Sequence, residues 1–126
     1  MTELKKKILV VDDDPAILEV ITLILESAGY EVKTTTNAPT GKSVQEYRPD
    51  LILLDIWMSG ADGRTVCKKL KAQKTTAHIP IILISAHKDT EKMSKDAGAD
   101  GFIFKPFEME NLLAVASKFT SSPTYG

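Results

Sequence analysis

The chain is poor in cysteine, histidine and tryptophan, and carries no excess of charge of either sign. One cysteine, Cys67, excludes an internal disulfide and fits a reducing compartment. Its flanks make it small apolar filler in a helix rather than a reactive thiol. Sixteen Lys and Arg against seventeen Asp and Glu leave a net charge of −1, without the basic surplus that nucleic acids or membrane surfaces require. The two histidines, His78 and His87, read as surface loop residues. The opening "MTELKKKILVVDDD" is basic and then apolar, but the apolar run is too short for a signal peptide and ends in acids. No stretch reaches membrane-spanning length. These absences point to a soluble cytoplasmic protein. Its 126 residues suit one domain with a sizeable core better than two, and no repeat or low-complexity segment interrupts it.

What is present alternates. "KILVVD" is a short β-branched apolar run, expected as a buried strand. "DDDPAILEVITLILESAG" follows as a helix, with Pro15 suited to its first position, Asp14 as its N-cap and Gly29 closing it. Ile17, Val20, Ile21, Ile24, Leu25 and Ala28 recur at helical spacing and form its expected inner face. "YEVKTTT" reads as a half-exposed strand, and Asn37 with Pro39 opens a weaker helix through about Tyr47. "LILLD" and "IPIILISA" are apolar strands, and between them "DGRTVCKKLKAQ" is a helix with Val66, Cys67 and Leu70 inward. "DTEKMSKDAGA" is a short polar helix offering little but Met93 and Ala97 to a core. "GFIF" is a fifth strand, and "EMENLLAVASKF" a last helix with Met109, Leu112, Leu113 and Ala116 on one face. Five strands alternating with five helices, the central strands apolar throughout, predict an open, doubly wound α/β sandwich around a five-stranded parallel sheet.

The polar residues at the carboxyl ends of those strands are Asp12 and Asp13, Asp55, Ser85 and Lys105. In open parallel sheets ligands bind at that edge. Two carboxylates about 4 Å apart repel by roughly 4 kcal/mol at an effective dielectric near 20, so three gathered there call for a cation. An all-oxygen set suits Mg²⁺ or Mn²⁺, and the Cys and His ligands of a zinc site are lacking. Asp55, Ser85, Lys105 and a divalent ion match the parts of phosphoryl transfer: a nucleophile, oxyanion donors and a charge-neutralising metal.

The segments "ILVVDDDP", "LILLDIWM…DG", "ILISA" and "GFIFKPF", in this order and at these separations, resemble the receiver domain of bacterial two-component response regulators over essentially the full length. The resemblance implies a flavodoxin-like fold of strand order 2-1-3-4-5, with residues 1–120 as receiver domain and 121–126 as a C-terminal tail. It implies that Asp55 accepts a phosphoryl group from the phosphohistidine of a sensor kinase or histidine phosphotransfer protein, or from a small donor. Asp13 then ligates the metal directly, Asp12 largely through water, with Asp55 and the backbone carbonyl of Trp57 as further ligands. Ser85 is the switch hydroxyl, Lys105 pairs with the phosphoryl oxygens, Pro106 follows a cis peptide, and Phe102 is the aromatic switch residue. The implied role is signalling rather than turnover of a separate substrate. A downstream protein target reads a surface formed by the fourth helix, fifth strand and fifth helix, and the protein itself is a monomer or weak dimer without direct nucleic-acid or membrane contact.

Three positions depart from the family pattern. Ser59 replaces a common proline and is expected to loosen its loop. Phe102 lacks the hydroxyl of the commoner tyrosine. Trp57 and His87 are expected to border the route of a water attacking the phosphorylated site. Rival readings fit less well. A haloacid-dehalogenase-like phosphatase needs a second Asp where Trp57 stands, and a nucleotide- or flavin-binding domain needs a Gly- or Ser/Thr-rich loop where "DDDP" stands. Two alternatives stay open: a receiver-like interaction module acting without phosphorylation, and a receiver cut from a larger regulator with an output domain.

Overall fold

A computed structural model describes residues 5–120; the expected tail, 121–126, lies outside them. The main sheet comprises β1 (Lys7–Val11), β2 (Glu31–Thr35), β3 (Leu51–Asp55), β6 (Ile81–Ser85) and β7 (Gly101–Phe104), in the order β2-β1-β3-β6-β7, all parallel. This is the expected 2-1-3-4-5 order of five strands. The numbering skips because β4 (Trp57–Met58) and β5 (Ala61–Asp62) form a two-residue antiparallel hairpin, too short to leave a pattern in the sequence.

Every residue of β3 and β6 is buried, because helices cover both faces. On one side, α1 (Pro15–Ser27) and α5 (Met109–Thr120) pack Leu18, Ile21, Leu25, Leu112 and Ala116 against Ile8, Val10, Leu51, Leu53 and Ile82. On the other, α2 (Gly41–Tyr47), α3 (Gly63–Ala72) and α4 (Thr90–Asp96) bring Val44, Val66, Cys67, Leu70 and the partly buried Met93 onto Leu9, Ile52, Leu54, Ile81 and Leu83. Each fully buried aliphatic side chain contributes about 1.5–3 kcal/mol by leaving water. Cys67 is buried filler, and burial pushes its thiol up to about 11.

Local signals place the helix ends. Asp14 accepts the Ala16 N–H at 3.0 Å ahead of Pro15, and Gly29 takes φ +95° after α1. The second helix begins later than Asn37 and Pro39 suggested, because Thr40 and Ser43 form a reciprocal capping box.

Two inner faces differ from expectation. In α1 the buried residues are Leu18, Ile21 and Leu25, whereas Val20 is 48% exposed; "ILEVITLIL" is apolar on more than one face, so spacing alone does not choose the side. In α5, Met109 is 53% exposed because it opens the helix before Leu112 and Ala116 reach the sheet. Beneath α4, Ala97 is buried as expected and Met93 packs partly, but the rest of the inner face is hydroxyl-bearing, Thr90 and Ser94.

Candidate functional site

Four strands, β1, β3, β6 and β7, end at one edge of the sheet. Asp55 closes β3 in register with Ile84 of β6, Asp12 and Asp13 follow β1, and Lys105 follows β7. The Lys105 N–H donates to the Ser85 carbonyl at 3.0 Å, and its peptide bond to Pro106 is cis, as the resemblance implied. The Asp12 and Asp55 side chains are buried; Asp13 is half-buried. Gly63 lies directly beneath the site: a Cβ there would fall on the Asp55 carbonyl oxygen and within 2.8 Å of the Ile56 Cα, so only glycine lets α3 start so close to the end of β3.

One carboxylate oxygen from each of Asp12, Asp13 and Asp55 lies within 4.8 Å of the others. The Lys105 ammonium donates to Asp12 Oδ2 at 2.9 Å and to Asp55 Oδ1 at 3.5 Å. Asp12 uses its other oxygen to accept the Asp14 N–H at 3.0 Å. Three carboxylates thus face one ammonium, and the shortfall of positive charge appears in the acidities. Burial, with the Asp12 charge beside it, pushes the Asp55 carboxyl up to about 6 although Lys105 pulls it down. For Lys105 burial alone would favour the neutral amine, but the hydrogen bond to Asp12 and the charges of Asp55 and Asp12 outweigh it and raise its pKa. The donor set suits a hard divalent cation: oxygens around a six-coordinate Mg²⁺ lie about 3–4 Å apart at metal–oxygen distances of roughly 2.1 Å, so small side-chain adjustments would gather these three.

The loop after β3 is held rather than loosened by Ser59, contrary to the sequence expectation. Its backbone N–H and its hydroxyl both donate to Asp13 Oδ2, at 2.8 and 3.0 Å. The backbone bond first and the hydroxyl second hold the Asp13 carboxyl below the usual carboxylate range. A proline could make neither contact.

Ser85 sits at the same edge, fully buried, but among the described residues no hydrogen bond joins it to Asp55. Its Oγ accepts instead from the Trp57 indole Nε1–H at 3.1 Å and from the His87 backbone N–H at 2.9 Å. The Trp57 ring is half exposed, its centroid 6.1 Å from that of His87, with the Arg64 guanidinium 4.9 Å over its face. Phe102 is partly buried in β7 and edge-on to Phe104, with ring centroids 5.2 Å apart. Sequence reasoning found the charged residues and missed the roles of Ser59, the Trp57 indole and Arg64. Only the unusual residue types at positions 57 and 59 hinted at the first two.

The family described as response regulator receiver domain matches residues 8–117. The DNA-binding dual master transcriptional regulator RpaA of Synechocystis is 38% identical over 111 residues, which are 86% of this chain and 46% of that protein. The chain spans about half the length of the curated relatives it matches. Among solved structures, the receiver domain of the sensor histidine kinase PA1611 from Pseudomonas aeruginosa, which holds a magnesium ion in its active-site cleft, superposes with a TM-score of 0.84 at 27% identity, covering 94% of this chain and all of that one. The chemotaxis protein CheY4 of Vibrio cholerae gives 0.81 at 29% identity, covering 92% and 99%.

Proposed function

The chain belongs to the response regulator receiver family, and from that premise we propose that it accepts a phosphoryl group on Asp55 from the phosphohistidine of a sensor kinase or a histidine phosphotransfer protein. The observation that carries this reading is the pairing of a buried Asp55 with Lys105, Asp12 and Asp13 at the sheet edge. With a pKa near 6, Asp55 is mostly ionised at pH 7 and can act as nucleophile. One of its oxygens attacks phosphorus in line, the phosphorus–nitrogen bond breaks, and the imidazole leaves with the electron pair, giving an acyl phosphate. Lys105, already oriented on Asp55 Oδ1, takes up the phosphoryl charge. Asp13, Asp55, the Trp57 carbonyl and, largely through water, Asp12 would hold a Mg²⁺ or Mn²⁺, which would supply further positive charge to the site. The Ser59 hydrogen bonds lower the Asp13 pKa and so favour the charged form that a cation needs.

Ser85 then turns its hydroxyl to the phosphoryl group, and Phe102 moves into the space released. The surface formed by α4, β7 and α5 changes and is read by a downstream protein. Residues 1–120 form the receiver domain, working in the cytoplasm as a monomer or weak dimer. Among the described residues no helix is long and apolar enough to cross a membrane. Because relatives such as RpaA are DNA-binding regulators of about twice this length, the receiver can also serve as the input half of a larger regulator.

The test is intact mass after incubation with acetyl phosphate, with and without Mg²⁺, for the wild type and Asp55→Asn. A metal-dependent gain of one phosphoryl group, absent from Asp55→Asn, is the expected result. No gain, together with no binding of beryllofluoride, would replace this reading with a receiver-like interaction module that works without phosphorylation.

A further inference from the structure

Both donors on the Ser85 hydroxyl lead to α4. The first is the Trp57 indole N–H, whose ring is covered by Arg64. Arg64 in turn donates to both oxygens of Asp62, and its Nη1 lies 3.6 Å from the Met93 Sδ of α4. The second is the His87 N–H, and the His87 carbonyl accepts from both the backbone N–H and the hydroxyl of Thr90, the first residue of α4. A serine hydroxyl has two acceptor positions and one proton to give. Here both acceptor positions are filled by donors pointing from different directions, so Oγ is confined to one place and cannot swing away without releasing them.

We propose that Trp57 is a positioning residue for the switch, its indole N–H latching the Ser85 hydroxyl in the resting arrangement and coupling it through Arg64 to α4. This rests on the phosphoacceptor reading of Asp55. The latch adds one neutral hydrogen bond to the resting state, so reaching the phosphorylated arrangement is harder by the worth of that bond. Trp57→Phe keeps an aromatic ring under Arg64, though a smaller one, and removes the donor. One ordinary hydrogen bond corresponds to about a fivefold change in an equilibrium constant.

The test uses two readouts on the full chain. Trp57 is the chain's single tryptophan, so its indole N–H gives one resolved ¹H–¹⁵N resonance. That resonance is expected to shift in Ser85→Ala with no ligand present, and to shift in the wild type when Mg²⁺ and beryllofluoride are added. Trp57→Phe, with amide dispersion like that of the wild type, is expected to bind beryllofluoride about fivefold more tightly. An indole resonance indifferent to Ser85→Ala would overturn the latch, as would a Trp57→Phe affinity equal to or weaker than that of a responsive wild type. A wild type that ignores beryllofluoride altogether would instead overturn the phosphoacceptor reading on which the latch rests.

Discussion

Neutralising Asp55 should make the protein more stable, and only at neutral and alkaline pH. The carboxyl is buried beside Asp12, and its pKa stands at about 6 in the fold against an ordinary value of 3.8. Each unit of such a difference is worth about 1.4 kcal/mol, so ionised Asp55 costs the folded state about 3 kcal/mol. The folded value is the raised one, which fixes the sign. Below about pH 4 the group is neutral in both states and the cost is absent. Between about 4 and 6 the folded chain holds a proton that the unfolded chain has released, and stability falls as pH rises. Above about 7 the cost is complete. Asp55→Asn has nearly the same shape, stays neutral and can still accept from Lys105. It should therefore match the wild type near pH 4 and exceed it by about 2–3 kcal/mol at pH 8, which for a domain of this size is a rise in Tm of roughly 10 °C. Urea denaturation of both proteins in EDTA across that pH range measures the gap directly. A gap that is the same at pH 4 and pH 8, or a variant less stable at pH 8, would refute the electrostatic account of the site.

The cation should close that gap from the other side. In Mg²⁺ at a hundred times its Kd the wild type should gain about 2.7 kcal/mol, reversibly with EDTA, whereas Asp55→Asn should gain much less; equal gains in thermal melts would place the ion elsewhere. Gly63→Ala drives a methyl group onto the backbone that carries Asp55. It should cost about 1–3 kcal/mol and slow labelling by acetyl phosphate, and unchanged stability with unchanged labelling would show that α3 can retreat freely.

The sheet was legible because its central strands, "LILLD" and "IILIS", are apolar without interruption and can be satisfied only by burial on both faces. The charged residues of the site were legible for a related reason: each follows such a run directly. What escaped were contacts between side chains remote in the chain. Ser59 meets Asp13 across 46 residues, and Trp57 meets Ser85 across 28. Nothing in the local pattern of either segment encodes its partner. The expectation that Ser59 loosens its loop failed on the same ground, since losing proline's rigidity was visible and gaining two hydrogen bonds was not. The inner face of α1 was misjudged because a helix apolar over more than half its circumference leaves the choice of side to tertiary packing, which buried Leu18 and left Val20 in water.

The hydroxyl-rich underside of α4 bears on how the protein behaves with temperature. Beside Thr90, Ser94 and Ala97, only the partly buried Met93 gives this helix a sizeable hydrocarbon side chain to expose when it is displaced, and heat-capacity changes follow the exposure of apolar surface. A leucine-faced helix in the same place would have a docking free energy that bends with temperature as hydration changes. The balance between positions of α4 should lack most of that curvature. A signal carried by its displacement would then have a set point that drifts steadily in one direction as the cell is cooled or warmed, without the reversal that curvature produces.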